Sequence, residues 1–125
     1  MNTWIKVSAI GMLALSLLAI GACKTSQPGV KRIGSTFNKP FPANPEQVTE
    51  AAKAAVDELK LILISSESTE MDGKIVARTA QDRRVDITIE KEAEDVSRVH
   101  VRVGFFGDED VSMTILEGIA EKLGE

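Results

Sequence analysis

The chain has 125 residues, 15 Lys and Arg against 19 Asp and Glu, a net charge of −4, and one cysteine. A net acidic chain disfavours broad electrostatic capture of nucleic acid. A single cysteine excludes an intramolecular disulfide and a cysteine-based zinc site. We therefore expect no nucleic-acid partner, no metal and no cofactor.

The N-terminal segment has the layout of a secretory signal, in which Lys6 precedes an apolar stretch that ends in Ile20-Gly21-Ala22-Cys23. This ending resembles the lipobox of bacterial lipoproteins, in which the cysteine is lipidated and the residues before it are removed. The alternative is an uncleaved transmembrane helix, but sixteen residues separate Lys6 from Cys23, whereas a bilayer core needs about 20. We expect a signal peptide over 1–22 and a lipid on Cys23.

A lipid on Cys23 would attach the chain to a membrane of the cell envelope without spanning it. Lys24 rather than aspartate follows the cysteine, which favours the periplasmic face of the outer membrane in a Gram-negative cell. Residues 23–34 are polar and broken by Pro28, Gly29 and Gly34, so they are expected to form a flexible tether. Residues 35–125 remain for one small domain.

Two helices are predicted near the ends of this domain. Asn44-Pro45 is a good helix start, and apolar residues recur at helical spacing from there to about Lys60. The second helix begins after Gly107, where Asp108 or Asp110 can cap it.

Four strands are predicted between the helices from apolar runs and alternating patterns: Leu61–Ser66, Lys74–Ala80, Arg84–Lys91 and Ser97–Phe106. The expected fold is therefore α+β, with a four-stranded antiparallel meander and both helices on one face of the sheet. By strand parity Phe105 is expected in the core.

Pairing apolar residues with apolar residues predicts the strand register. For the last two strands this gives Val85–Val103, Ile87–Val101 and Ile89–Val99. For the second and third strands the same choice gives Ile75–Ile89, Ala77–Ile87 and Thr79–Val85. On the opposite face the two registers would form charge ladders, Lys74–Glu90–Arg98 and Arg78–Asp86–Arg102.

The chain resembles a family of small bacterial envelope lipoproteins known only as a domain of unknown function. The likeness is carried by the lipobox, by Phe41-Pro42-Ala43 with Pro45, by Gly73-Lys74-Ile75, and by the stretch from Val101 to Asp108 before a helix with Ser112 and Ile115. The resemblance implies an envelope lipoprotein and supplies no catalytic or ligand residues.

The exposed sheet face is the first candidate site. It is expected to carry five basic side chains and His100 against Asp86 and Glu90, which would suit an anionic lipid or glycan. The basic residues are Lys74, Arg78, Arg84, Arg98 and Arg102. The alternative is an ordinary solvated face with internal ion pairs, in which His100 is a surface residue without a catalytic partner.

The second candidate site is a partner contact made by Phe37, Phe41 and Phe106. The segment from Phe37 to Phe41 has Pro40 within it and is followed by Pro42, so it is expected along a sheet edge or at a docked partner. Phe106 points away from Phe105 by parity and marks either an apolar contact patch or simple packing under a loop. The acidic run at Asp108, Glu109 and Asp110 is better explained by helix capping than by a cation site.

No nucleophile motif, phosphate-binding glycine loop or ligand cluster stands out in the sequence. We therefore expect a non-catalytic, membrane-anchored module that binds another envelope component, in the first instance an anionic one. The alternative is a structural or adaptor subunit of an envelope protein assembly, and a hydrolase ranks third.

Overall fold

Residues 29–124 are described by a computed structural model, and they form one antiparallel sheet and two helices. In chain order the elements are β1 (Lys31–Ile33), β2 (Thr36–Phe41), α1 (Pro45–Glu58), β3 (Ile62–Ser68), β4 (Asp72–Arg78), β5 (Arg84–Ala93), β6 (Val96–Val103) and α2 (Glu109–Lys122). The strand order across the sheet is β1-β2-β6-β5-β4-β3. The predicted signal, the lipobox and the start of the tether lie outside the described residues.

The sheet has six strands, so the prediction of a four-stranded meander is wrong. The four predicted strands correspond to β3–β6, and β1 and β2 extend the sheet beside β6. Since β1 lies within the segment expected to be a tether, the sheet begins before Ser35. The α+β class is as expected.

β2 was not among the four predicted strands, because Lys39 and Pro40 interrupt its apolar alternation. Its pairing with β6 runs from Phe37 opposite Val101 to Phe41 opposite Ser97. β1 covers only the stretch of β2 from Thr36 to Asn38, so Pro40 lies where β2 has no neighbour on its other side. Proline lacks an N–H and is tolerated at such an edge position.

Both helices pack on the same face of the sheet, and their apolar residues share one buried cluster with the inward side chains of the strands. α1 has Ala51, Ala52 and Ala55 on its buried side, which lets it lie close to the sheet. At Ala55 it also approaches Gly118 of α2, where an added Cβ would come within 3.2 Å of the alanine methyl. Neither helix within residues 29–124 has the length and apolar character needed to cross a bilayer.

The two helices start where the sequence predicts. Asn44 caps α1 by accepting a hydrogen bond from the backbone N–H of Gln47 at 2.8 Å, and the Gln47 side chain accepts one from the Asn44 N–H at 3.2 Å. Asp108 caps α2 by accepting one from the Val111 N–H at 3.0 Å.

The β5–β6 register is as predicted, with Val85 opposite Val103, Ile87 opposite Val101 and Ile89 opposite Val99. The predicted β4–β5 register is wrong by two residues, since Ile75 lies opposite Ile87 and not Ile89. The correct side chains still face the core, because a two-residue shift preserves the faces. The β4 members of the two predicted charge ladders are displaced, since Lys74 lies opposite Thr88 and Arg78 opposite Arg84. The β5–β6 halves keep their predicted positions, with Glu90 opposite Arg98 and Asp86 opposite Arg102.

The turn between β4 and β5 explains this shift. The Thr79 N–H donates to the Arg83 carbonyl at 2.9 Å, and the Arg83 N–H donates to the Thr79 hydroxyl at 3.1 Å. Asp82 lies between them at φ 64°, the left-handed conformation that such a short hairpin loop requires and that aspartate tolerates. The turn therefore fixes the register ahead of any preference of the charged side chains.

Gly73 of β4 should resist substitution by alanine, because a Cβ there would overlap the Thr49 hydroxyl of α1. Thr49 is buried and its hydroxyl donates to the Pro45 carbonyl at 2.7 Å. We expect Gly73→Ala to lower the free energy of unfolding by about 1–3 kcal/mol, the usual cost of overpacking.

Denaturant unfolding of the full chain measures this cost. In a Thr49→Ala background, which removes the overlapping oxygen, Gly73→Ala should cost much less. An equal cost in both backgrounds would show that the overlap is not the reason for glycine at this position.

Candidate functional site

The sheet face opposite the helices, called here the open face, carries polar side chains in cross-strand rows. In the central row Lys74 of β4, Thr88 of β5, His100 of β6 and Asn38 of β2 lie side by side. The next row places Asp86 opposite Arg102. This pattern follows directly from the alternation of β5 and β6, whose other side chains are in the core.

Three of the five basic residues predicted for this face form ion pairs with nearby acidic side chains. Arg78 pairs with Asp82 at 3.3 Å, Arg84 with Asp86 at 3.0 Å and Arg98 with Glu92 at 2.8 Å. Arg98 also donates to the Asn38 side chain at 2.8 Å. The predicted positive face is therefore largely neutralised by local pairs, two of them with acids that the prediction did not include.

Lys74 and Arg102 are different, because neither makes an ion pair with any residue in the range 29–124. Arg102 donates only to the Gly104 carbonyl at 3.4 Å, and its guanidinium lies 6.0 Å from the centre of the Phe105 ring. Both residues can therefore receive an anion without first breaking an ion pair.

Lys74 and Arg102 both line a hollow of about 350 Å³ in the middle of the open face, called here the cleft. Its other lining residues are Thr36, Asp86, Thr88, Glu90 and His100. The threonine hydroxyls can donate or accept hydrogen bonds, so the cleft offers neutral and charged groups together. The sequence had not indicated the contribution of Thr36, because β2 was not predicted.

His100 lies in the cleft with a buried polar atom. Its Nε2 has no hydrogen-bond partner among the described residues. The nearest carboxylate is Glu90, whose Oε1 is 3.5 Å from Nε2 without hydrogen-bond geometry. Leaving a buried ring nitrogen unpaired is unfavourable, so Nε2 is the atom of the cleft with most to gain from a ligand.

The loop between β6 and α2 lies beside the cleft and is held by several interactions. The Asp108 N–H donates to the Val103 carbonyl at 2.9 Å, which closes the loop. Gly104 and Gly107 have φ of 73° and 79°, a region in which other residues are strained. A Cβ at Gly107 would overlap the Ser35 carbonyl, so the loop also lies against the β1–β2 turn.

Asp108 joins this loop to the neighbouring hairpin. Its carboxylate accepts from the Val111 N–H and forms an ion pair of 2.9 Å with Arg83. The hydrogen bond from Val111 and then the bond from Arg83 hold the pKa of Asp108 below its ordinary value. The capping role expected for this acidic run is therefore filled by Asp108.

The same loop places two phenylalanines in solvent. Phe105 and Phe106 are 76% and 82% exposed, and their rings meet edge to face with centres 5.0 Å apart. The prediction of Phe105 in the core is wrong, because β6 ends at Val103 and the turn at Gly104 breaks the strand parity. The exposure of Phe106 agrees with an apolar contact patch.

Phe37 and Phe41 do not belong to that patch. They are only 3% and 1% exposed and form part of the core. Their prediction as partner contacts is wrong, because both rings point from β2 into the core beneath the helices. A basic side chain also lies over each ring. The Arg32 guanidinium lies 4.9 Å from the Phe37 ring centre and the Lys39 ammonium 5.3 Å from that of Phe41.

No group of three or more acidic, histidine or cysteine side chains arranged to hold a metal occurs within residues 29–124. Of the predicted site residues, the fold brings Lys74, His100 and Arg102 together in the cleft. It disperses Arg78, Arg84 and Arg98 into local ion pairs. Cys23 lies outside the described residues.

A family model described as "Protein of unknown function (DUF3568)" matches residues 5–122 of the chain. No curated protein gives a significant match. The match includes the apolar N-terminal stretch, Cys23, the cleft and the β6–α2 loop.

Asp108 should contribute to stability in a pH-dependent way. Asparagine also caps helices well, so Asp108→Asn retains the cap and removes the charge that faces Arg83. Because the folded pKa is lowered, the charge stabilises the protein above the unfolded pKa of about 3.9, and this contribution is lost as the pH falls through the folded pKa.

We expect Asp108→Asn to be less stable than the natural chain at neutral pH, by up to about 1 kcal/mol for a partly exposed pair. The gap should close as the pH falls below about 4. Denaturant unfolding across this pH range measures it, and a gap independent of pH would contradict the assignment.

Proposed function

Since the chain belongs to this family of unknown function, we propose from its own residues that it is a membrane-anchored, non-catalytic binding module of the cell envelope. The anchor is a lipid on Cys23, and the binding site is the cleft on the open face. Its ligand is an anionic group of phosphate type, borne by a lipid headgroup, a glycan or a free phosphate.

The main support for this site is that two cations without an ion pair and a ring nitrogen without a hydrogen bond line the same cleft. Lys74 of β4 and Arg102 of β6 line the cleft on either side of β5. His100 of β6 lines the same cleft, and its buried Nε2 has no hydrogen-bond partner among the described residues. A phosphate oxygen would accept hydrogen bonds from the ammonium, the guanidinium and Nε2–H. Hydrogen bonds of this charge-assisted kind are stronger than those between neutral groups.

The two acids of the cleft limit this site and define its geometry. Asp86 accepts from Arg84 at 3.0 Å, so much of its charge is balanced within the sheet. Glu90 has no basic partner other than His100 among the described residues, but its side chain is 63% exposed and is free to turn into solvent. An anion is therefore expected nearer to Arg102 and Thr36 than to Glu90.

The anchor is supported by the sequence from Ile20 to Cys23, which follows an apolar stretch and ends in the lone cysteine. Bacterial lipoproteins carry two or three acyl chains, and two chains are enough for stable attachment. A tethered domain meets envelope phosphates at high local concentration, so a weak site is sufficient for function.

A matched pair of double variants tests the cleft. Lys74→Gln with Arg102→Gln removes two positive charges from the cleft, whereas Lys60→Gln with Lys91→Gln removes two exposed charges that do not line it. The dissociation constants of sn-glycerol 1-phosphate and of inorganic phosphate would be measured by calorimetry on the full chain in a neutral detergent.

We expect the cleft variant to bind about thirtyfold more weakly, since each cation contributes about 1 kcal/mol. The control variant should bind like the natural chain. Equal losses in the two variants would mean that only net charge matters, and unchanged binding in both would exclude the cleft. Tighter binding of glycerol phosphate than of phosphate would indicate a lipid headgroup as the source.

A further inference from the structure

The end of the domain formed by the β6–α2 loop and the β1–β2 turn presents three exposed apolar side chains, called here the apolar tip: Ile33, Phe105 and Phe106. The two segments are in contact, because Gly107 lies against the backbone of Ser35. We propose that the apolar tip inserts into the surface of the membrane to which the chain is anchored. This inference rests on the lipid anchor of the proposed function but not on the cleft.

The first support is that the fold holds the apolar tip rigidly in solvent. Gly104 and Gly107 at positive φ, the closing hydrogen bond from Asp108 to Val103 and the ion pair from Asp108 to Arg83 all fix the loop that carries the two rings. A loop without a binding role has no need to display two adjacent aromatic rings with such low freedom, since exposed apolar area of this kind is unfavourable in water.

The second support is the distribution of charge along the sheet. The opposite end is formed by the β3–β4 and β5–β6 turns, residues 69–71 and 94–95. These turns contain Glu70, Glu94 and Asp95 and no lysine or arginine, and Asp72 begins β4 beside them. A membrane with anionic lipids repels that end and turns the apolar tip toward its surface.

The third support is the reach of the chain outside the described residues. Six residue steps separate Cys23 from Gly29, which at full extension span roughly 20 Å. Gly29 precedes Ile33 by four residues, roughly 13 Å along an extended strand. A lipid on Cys23 can therefore enter the membrane while the apolar tip touches the same surface.

The charged residues near the apolar tip have both signs, so they give no net attraction to an anionic surface, and the contact depends on the apolar side chains. Arg102 lies against the Phe105 ring, but Glu109 and Asp110 follow in the first turn of α2 and carry no ion pair within residues 29–124. Added salt should therefore have little effect on insertion. The cleft, in contrast, depends on cations and should be weakened by salt.

A tryptophan introduced at either end of the domain tests the proposal. Trp4 is the only natural tryptophan and lies in the segment that lipidation removes, so in the lipidated chain Phe106→Trp reports on the apolar tip alone. Met71→Trp is the matched control, since Met71 is also exposed, at 63%, and lies in the acidic β3–β4 turn at the opposite end. Both variants, extracted from membranes as lipidated chains that begin at Cys23, would be reconstituted into phosphatidylcholine vesicles with and without brominated phosphatidylcholine.

We expect the tryptophan emission of the Phe106→Trp variant to shift to shorter wavelength on reconstitution and to lose intensity with brominated lipid, at low and high salt alike. The emission of the Met71→Trp variant should do neither. Equal quenching in both variants, or none in Phe106→Trp, would overturn the proposal. A shift of the Phe106→Trp emission that appears in detergent with rising protein concentration would also overturn it, because such a shift indicates self-association.

Separate measurements test the lipid anchor and the insertion of the apolar tip. Intact mass of the membrane-extracted chain reports the lipid on Cys23 directly. A lipidated Phe106→Trp chain whose emission is not quenched contradicts the apolar tip and leaves the anchor standing, whereas an unmodified cysteine contradicts the anchor.

Discussion

Three directly opposed aliphatic pairs between β5 and β6 determine what both faces of the sheet can do. Val85 and Val103, Ile87 and Val101, and Ile89 and Val99 face each other, and all six side chains are completely buried. Because side chains alternate along a strand, these pairs force Asp86, Thr88, His100 and Arg102 onto the other face. A one-residue slip would bury charged groups and expose the aliphatic ones, which makes the register strongly determined.

The polar cleft is thus a consequence of the core, and the local ion pairs then decide which of its charges remain available. Arg84 pairs with an acid of its own strand, Arg78 with one in the adjoining turn and Arg98 with Glu92 at the end of the neighbouring strand β5. Lys74 and Arg102 make no ion pair among the described residues, and they line the same cleft as His100, whose Nε2 has no hydrogen-bond partner there. The cleft therefore retains two cations that make no ion pair among the described residues.

The parts of the fold that the sequence predicts are those governed by side-chain alternation and by helix caps. β5 and β6 both alternate without interruption, and only one register brings all of their aliphatic residues together. The Asn44 cap with Pro45 and the Asp108 cap are local signals that depend on few neighbours. These elements carry the core and the central row of the site.

The predictions are wrong where a turn or an interrupted pattern, and not side-chain alternation, determines the structure. The β4–β5 register is set by a tight turn with Asp82 in a left-handed conformation, so the pairing of charged residues has no influence on it. β2 was missed because Lys39 and Pro40 hide the inward spacing of Phe37 and Phe41. Phe105 follows a turn at Gly104, where strand parity no longer applies.

The missing strand β2 and unforeseen side-chain contacts also explain why some site residues were predicted wrongly. Phe37 and Phe41 were assigned to a surface because their strand had not been recognised, and Thr36 was overlooked for that reason. The pairing of Arg98 with Glu92 was not foreseen, because Glu92 lies at the end of β5, six residues earlier in the chain, and not directly across the sheet. Local contacts of this kind depend on side-chain conformation, which alternation does not determine.

The central claim is that a phosphate-type anion binds at the unpaired nitrogen of His100. Nuclear magnetic resonance of the full chain in neutral detergent, titrated with inorganic phosphate at constant ionic strength, tests it directly. We expect the largest shifts at the His100 ring and at the amides of Thr36, Thr88 and Arg102. Unchanged His100 resonances, or larger shifts around Arg78 and Arg84 than in the cleft, would contradict this account.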